Sequence, residues 1–463
     1  MSLSATLKRI IPKSKNDVDM TEGSIWKHII VFALPLLVGS VFQQLYNTVD
    51  TWVLGKYVND AAFSAVGAVG PIVNMLIGTF TGLASGAGVI ISQYYGAKQY
   101  DRVEKAVRTS AFLTLISGII LTALGIILVP YMLRLMNMPE DVFDEGYTYL
   151  TIYFAGMIGL MVYNMGAGIL RAVGDSQKPF YFLVCSAIIN IVLDLLFVLV
   201  FDMGVAGVAY ATIIAQGISA ILTTLSLLRH KGCIKLKAPY VSCDRLLLKQ
   251  IFRVGAPAAI QLAITAFSNV FIQSYINYFG KEVMGGWTAY GKIDQFMFMP
   301  MQAVSLATTT FVGQNLGKGN YKRAESGVRI SLILACLCTF FIMVPIEIFS
   351  PHLVMFFNEN PEIIEYGTMF LRYITPFYVL CCLNQVYAGA LRGAGNSRAP
   401  MIVMILGFVV FRQAYMFVVA NYISNTVMFI TMGYPAGWIV CTLIMTVYYN
   451  RTHLKSKNIV TAE

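Results

Sequence analysis

Charge is what this chain has least of. Asp, Glu, Lys and Arg make up 12% of its 463 residues while 57% are hydrophobic, and a soluble protein of that length carries about twice the charge. The shortage excludes a water-soluble fold and leaves an integral membrane protein. Alternating segments of the outer-membrane type are missing, and the apolar runs are long and continuous, so the spans are helices rather than barrel strands. Histidine is equally sparse: His28, His230, His352 and His453 all stand at span ends, which excludes a buried imidazole metal centre. None of the eight cysteines has metal-ligand spacing to a histidine, and they read as small hydrophobes. A nucleotide loop is lacking as well. GQNLGKG (313–319) encloses three residues between Gly313 and Gly317 where a phosphate loop needs four, and no Ser or Thr follows Lys318. The first 28 residues are polar and basic without a cleavage site, so no removable signal peptide is expected. Neither a nucleotide nor any other cofactor is expected.

What the chain has is twelve apolar runs, at about 29–54, 62–92, 106–130, 147–170, 179–201, 204–228, 251–279, 284–312, 328–348, 366–391, 400–422 and 427–449. The ends and the even-to-odd connections hold 27 of the 33 Lys and Arg, whereas the other side holds only Lys56, Arg134 and Lys281. The positive-inside bias then puts both termini in the cytoplasm of a multi-pass protein of the inner or plasma membrane. Basic charge spread along membrane-proximal loops argues against nucleic acid as a partner and for lipid. Acids gather on the opposite side, in Glu140, Asp141, Asp144 and Glu145 after span three and in Glu359, Glu362 and Glu365 after span nine.

These two acidic loops match because the chain repeats. SQYYGAKQYDRVEKAVRTS (92–110) parallels GQNLGKGNYKRAESGVRIS (313–331), and LRAVGDSQKP (170–179) parallels LRGAGNSRAP (391–400). Gln93 and Gln314, Arg171 and Arg392, and Pro179 and Pro400 are all offset by 221, and Pro35 and Pro257 by 222. An even number of spans per half gives both halves one orientation, as in parallel repeats. The expected organisation is a cytoplasmic tail (1–28), an amino lobe of spans one to six (29–228), a cytoplasmic linker (229–250), a carboxy lobe of spans seven to twelve (251–449) and a second tail (450–463). Oligomerisation has no sequence signal, and a monomer is expected. A cleft between the lobes is the expected place for substrate.

Buried polar residues are few enough to weigh singly. Gln43, Asn47 and Asp50 fall at i, i+4 and i+7 of the first span, on one helix face. A carboxylate at that depth costs roughly 2.5–3.5 kcal/mol unless it faces a cavity or a partner. Asn190 and Asp194 lie at i and i+4 of span five, and Thr212 follows in span six. Their counterparts in the second half are Phe411 and Tyr415, and Asp50 maps near Phe271 to Ser274. Buried carboxylates confined to one half suit a site that reversibly binds one proton or a small hard cation such as Na⁺. Lys292 and Asp294, two apart in span eight, and Arg412 in span eleven read either as functional charges or as structural ones that pair inside the bundle or snorkel. Pro35 interrupts the backbone bonding of the first span and gives it a hinge. The ladder of Gly78, Gly82 and Gly86 lets helices approach closely.

Taken together, VDT (49–51), SQYYGAK, VGQNLGKGN, the paired LRAVGDSQKP and LRGAGNSRAP segments, and NIVLD (190–194) resemble the multidrug and toxic compound extrusion (MATE) family over nearly the whole chain. The likeness is closer to the branch named after the DNA-damage-inducible transporter. It implies an all-helical pair of six-helix lobes that export organic cations or toxic amphiphiles in exchange for H⁺ or Na⁺. Asp50, Asn190, Asp194 and Thr212 match the amino-lobe cation site of family members. Members of the Na⁺-coupled branch also carry acids in spans seven and ten; here span seven has none and span ten has Asn384 near that position. An alternative of the same superfamily is a flippase for lipid-linked precursors. That activity calls for a strongly basic cavity, and mid-membrane basic residues are limited to Lys292, Arg372 and Arg412.

Overall fold

A computed structural model describes residues 18–58, 60–136, 138–452 and 454, which leaves most of both tails, and Asp141 as a side chain, outside the described residues. Among those described the chain is helical, without strands. In chain order the helices are α1 (Ile25–Tyr57), α2 (Asp60–Gly96), α3 (Tyr100–Leu135), α4 (Glu140–Ala155), α5 (Met157–Ala172), α6 (Gln177–Leu195), α7 (Gly204–Leu228) and α8 (Arg245–Asn277). They continue as α9 (Lys281–Gly317), α10 (Tyr321–Met355), α11 (Pro361–Ile374), α12 (Tyr378–Gly393), α13 (Arg398–Ile405), α14 (Arg412–Val418), α15 (Val427–Thr431) and α16 (Gly433–Thr452).

The repeat is visible in the helix boundaries. Asp60 and Lys281, Tyr100 and Tyr321, Glu140 and Pro361, Met157 and Tyr378, and Gln177 and Arg398 all begin helices 221 residues apart. The helix ends correspond too, because the same cap recurs. After α2 and α9 the chain turns through Lys98 (φ 58°) and Gly319 (φ 80°), and after α5 and α12 through Gly174 (φ 87°) and Gly395 (φ 78°). Each left-handed residue lets the next N–H reach back to an orphan carbonyl: Gln99 to Tyr94 (3.0 Å), Asn320 to Asn315 (2.8 Å), Asp175 to Leu170 (3.1 Å) and Asn396 to Leu391 (2.9 Å).

Among the described residues ten helical stretches are long and apolar enough to cross a membrane, and eleven if one bent pair counts as a span. Each of the twelve expected spans has a helix or helix pair, and one of them falls short of that measure of apolarity. Span eight corresponds to α9, which is 37 residues long but carries Lys281, Glu282, Lys292 and Asp294 and is not among the stretches apolar enough. Span four is the bent pair: α4 and α5 meet at 48° around Gly156, where a Cβ would fall 2.3 Å from Ile213.

The chain packs as two compact units, one containing Val38–Gly255 and the other containing Met20–Leu37 with the described residues from Ala256 onward. Two helices are thus divided: α1 changes unit just after Pro35, and α8 just before Pro257. In the first unit Leu54, Phe80, Leu133, Leu150 and Phe154 belong to the central apolar cluster. The start of α8 is fixed there by Asp244, whose carboxylate caps Leu246 N–H (3.0 Å) and whose own N–H donates to Thr109 (3.2 Å). Tyr94 donates to Gln250 (3.1 Å), and Lys237 pairs with Glu104 (2.8 Å). Gly86 and Gly255 touch directly, a Cβ on Gly86 falling 2.5 Å from the Gly255 Cα. The Gly82 and Gly86 end of the small-residue ladder of span two therefore serves close helix contact.

In the second unit the GQNLGKG segment does the equivalent job for the start of α1. Gln314 accepts the Met20 N–H (2.9 Å), Asn315 and Arg323 donate to the Met20 carbonyl, and Arg323 also donates to the Glu22 carbonyl (2.9 Å). Lys318 pairs with the Glu22 carboxylate (2.9 Å). The resemblance to a phosphate loop thus resolves into a backbone anchor.

Candidate cation site in the first unit

Register explains how residues so far apart in sequence meet. A Cβ on Gly39 of α1 would contact Leu183 of α6 at 3.2 Å. Eleven residues further along each helix stand Asp50 and Asp194. Eleven residues are three turns at 3.6 per turn, so both acids return to the face that the glycine contact defines. Their carboxyl groups are close enough to interact electrostatically, without a direct hydrogen bond among the described residues. Asp50 is 6% exposed and Asp194 fully buried.

Asn190 stands one turn before Asp194 on α6, and both are buried. The chain then widens into a π-helical turn, Leu196–Val200, reverses through Asp202 and Gly204 with left-handed backbone, and returns as α7. That return brings Thr212 back to Asn190, whose side-chain N–H donates to the Thr212 hydroxyl at 3.5 Å. Thr212 in turn donates to the Val208 carbonyl (3.0 Å). The Asn190 oxygen, both Asp194 oxygens and Asp50 Oδ1 are buried without a hydrogen-bond partner. Unanswered buried oxygens are expensive, and a proton or a hard cation would answer several at once. Among the described residues no group of three or more His, Cys, Asp or Glu is arranged for a metal; the donors here are two carboxyls, an amide and a hydroxyl.

Three tyrosines that sequence reasoning missed, Tyr46, Tyr149 and Tyr153, lie near enough to Asp50 to interact with it electrostatically. Tyr149 and Tyr153 are stacked one turn apart on α4, centroids 6.1 Å apart. Tyr46 stands one turn before Asp50, a spacing that was available, whereas nothing local in α4 signals its neighbour. Gln43 interacts with Tyr46. Asn47 does not join them, for it is exposed, between half-buried Gln43 and buried Asp50.

The remaining polar candidates lie in the second unit. Lys292 is exposed and Asp294 half-buried, the separation that a spacing of two produces on a helix. Tyr290 donates to Asp294 at 3.1 Å and lies 3.2 Å from the Tyr378 hydroxyl. Arg412 is 2% exposed, donates to Ser268 (2.9 Å) and Asn269 (3.1 Å), and lies 4.7 Å from the centroid of Tyr434. It pairs inside the unit, with neutral partners. Asn384 is buried, donates to the Trp438 carbonyl at 3.4 Å, and keeps its oxygen unpartnered. Of the counterpart positions, Tyr415 donates to the Phe429 carbonyl (3.2 Å), and Phe271 is exposed. Pro35 is half-buried in α1.

Residues 35–196 and 257–418 match the MatE family model, two stretches of equal length, one in each half of the repeat. Over 438 residues the chain is 27% identical to the protein described as "Probable multidrug resistance protein YoeA" of Bacillus subtilis (strain 168), covering 93% of this chain and 94% of that one. A solved structure described as "Crystal structure of MATE in the bent conformation" superposes with a TM-score of 0.90 at 22% identity, covering 98% of this chain and 100% of the other. The corresponding straight conformation gives 0.89 at 22% identity, covering 96% and 99%. The fold is shared with those structures.

Proposed function

This chain belongs to the MatE family, and from that premise we propose that it is a secondary antiporter, exporting organic cations or amphiphilic toxic compounds in exchange for H⁺ or Na⁺. The observation that carries the reading is the buried carboxyl pair of Asp50 and Asp194, with unanswered oxygens around it. Asp50 and Asp194 take up the coupling ion, and Asn190 and Thr212 complete its oxygen shell. Ion and substrate favour opposite conformations, so entry of one drives release of the other.

Pro35 is the hinge of this cycle. A proline leaves the carbonyl four residues earlier, that of Val31, without its helical N–H partner. The weak point adjoins the residues at which α1 passes from one unit to the other. Membrane topology follows from charge: the basic loops and both termini face the cytoplasm of a cell membrane.

The test is uptake of a fluorescent organic cation by proteoliposomes under separately imposed pH and Na⁺ gradients. One gradient is expected to drive uptake and its dissipation to stop it. Uptake indifferent to both gradients overturns the reading.

A further inference from the structure

The register that builds the acid pair in the first unit recurs in the second. Shifted by the repeat, Gly39 of α1 and Leu183 of α6 become Gln261 of α8 and Met404 of α13. The glycine position contacts Leu183, and Gln261 donates to the Met404 sulfur at 2.8 Å. Beyond that contact the second unit departs from the first. Its helix widens into a π-helical turn at Leu406–Phe411, where the equivalent part of α6 is regular. Bonding from i to i+5 takes one residue more than an α-helical turn, so each later side chain is displaced by one position around the helix. Past the turn Asn190 is therefore matched by Arg412, and Asp194 by Met416, at an offset of 222. Burial follows this shift. Residues 190–194 run buried, half-buried, exposed, half-buried, buried, and residues 412–416 repeat that order. Span seven already carries the offset of 222, which sets Asn269 at the place of Asn47 and Ile272 at that of Asp50.

We propose that Arg412 is a built-in cation: its guanidinium fills, in the second unit, the place that the coupling ion takes in the first, so this unit takes up no coupling ion of its own. The proposal rests on the reading of the chain as an ion-coupled antiporter and assigns the coupling to one unit.

The head group meets the helices equivalent to those around the first site. It donates to Ser268 (2.9 Å) and Asn269 (3.1 Å) of α8 and lies over Tyr434 of α16, the neighbour of Gly433, which matches Thr212. Gln413 adds a bond to Ser268 (3.1 Å). Both acids are gone: Ile272 and Met416 stand in their places, and both are buried. A guanidinium keeps its charge at every physiological pH, and among the described residues Arg412 makes no ion pair. Such a charge is costly within a membrane unless it faces the interior of the bundle, and there it repels any mobile cation strongly. Arg412 is thus a positioning residue, tying α8 to the span of α14 in every state of the cycle.

Charge and shape can be separated at this position. Arg412→Met is expected to slow gradient-driven uptake by proteoliposomes at least about tenfold, because Ser268 and Asn269 lose a buried charged donor. Arg412→Lys keeps a positive charge and is expected to retain most of the uptake. Uptake by the methionine variant equal to or above that of the lysine variant overturns the proposal. Arg412→Ala opens the place to a free cation. In detergent, millimolar guanidinium chloride is expected to raise its melting temperature saturably, with no such rise in the parent, in sodium chloride of equal ionic strength, or in urea, a neutral molecule of similar shape. An equal rise in urea, or none in guanidinium, overturns the built-in cation; the lysine and methionine pair decides where the alanine variant gives no folded protein. Substrate-coupled ion flux that survives Asp50→Asn combined with Asp194→Asn places an ion in the second unit and overturns it as well. Gradient-driven uptake by the parent keeps the two readings apart. With it, a fully active Arg412→Met sinks only the built-in cation; without it the antiporter reading falls, while rescue by guanidinium still reports on the site.

Discussion

Asp50 of α1 and Asp194 of α6 are both buried in the first unit, and their carboxyls are close enough to interact electrostatically. Two like groups so close cannot both stay ionised without a counter-ion, because the low dielectric strengthens their repulsion. The first prediction follows from that contact. Asp50→Asn removes the repulsion and one exchangeable charge together, so ion-coupled transport is expected to fall about 100-fold or more while thermal stability is kept or raised. Flux in proteoliposomes and melting in detergent measure the two sides; normal antiport by the variant refutes the assignment.

Thr212 tests the shell around the pair. Thr212→Val preserves shape but leaves the Asn190 N–H without its acceptor, a loss of about 1–3 kcal/mol for a buried donor. Thr212→Ser is expected to recover most of it. The check is thermal unfolding with and without Na⁺ across several pH values, in which the ion-dependent gain shrinks for valine and not for serine.

Hinge action is tested at two prolines. Pro35→Ala and Pro257→Ala each restore a backbone donor to a helix that changes unit nearby. Both variants are expected to fold, to bind substrate, and to turn over several-fold more slowly. Unchanged turnover in Pro35→Ala removes the hinge from the mechanism.

Lys98 occupies a conformation that its repeat counterpart fills with glycine. Left-handed backbone costs a side-chain-bearing residue about 1–2 kcal/mol, against about 0.5–1 kcal/mol of extra chain entropy for glycine. Lys98→Gly is therefore expected to be neutral or to stabilise by up to about 1.5 kcal/mol. Gly319→Lys, introducing the strain on the other side, is expected to destabilise, as melting curves would read.

Close helix contact is tested within one helix. Gly86→Ala drives a methyl group into the Gly255 backbone, 2.5 Å away, whereas a Cβ on Gly70 meets nothing within 4 Å. Overpacking of this kind typically costs about 1–3 kcal/mol. Gly70→Ala is expected to be neutral or slightly stabilising through helix propensity, and equal melting of the two variants would show that the contact can yield.

The sequence made the repeat legible because its caps need particular residues: glycine at 174, 319 and 395 is where the backbone turns left-handed, and such positions keep their spacing. Asp50 and Asp194 could be singled out because intramembrane acids are rare. Their confinement to one lobe points to a shared site, and the in-register glycine contact between α1 and α6 supplies the physical reason they lie near each other. Tyr149 and Tyr153 were hidden, since aromatic residues at helical spacing are ordinary in apolar spans. The π-helical turn after Asp194 was equally hidden, as LLFVLV reads as uninterrupted helix. Nor could α9 be separated from its neighbours by length; four charged residues reduce its apolar character without breaking it.

The division of α1 also sets a timetable. Residues up to Leu37 pack with a unit whose other members begin at Ala256, so the ribosome must add roughly 200 residues before any of those partners emerges, on the order of 10–40 s at bacterial and eukaryotic elongation rates. During that interval the opening segment has no final neighbours, and its Met20 to Glu22 anchor waits longer still for Gln314 and Arg323. Newly made chain is thus most open to quality-control proteases at its oldest residues.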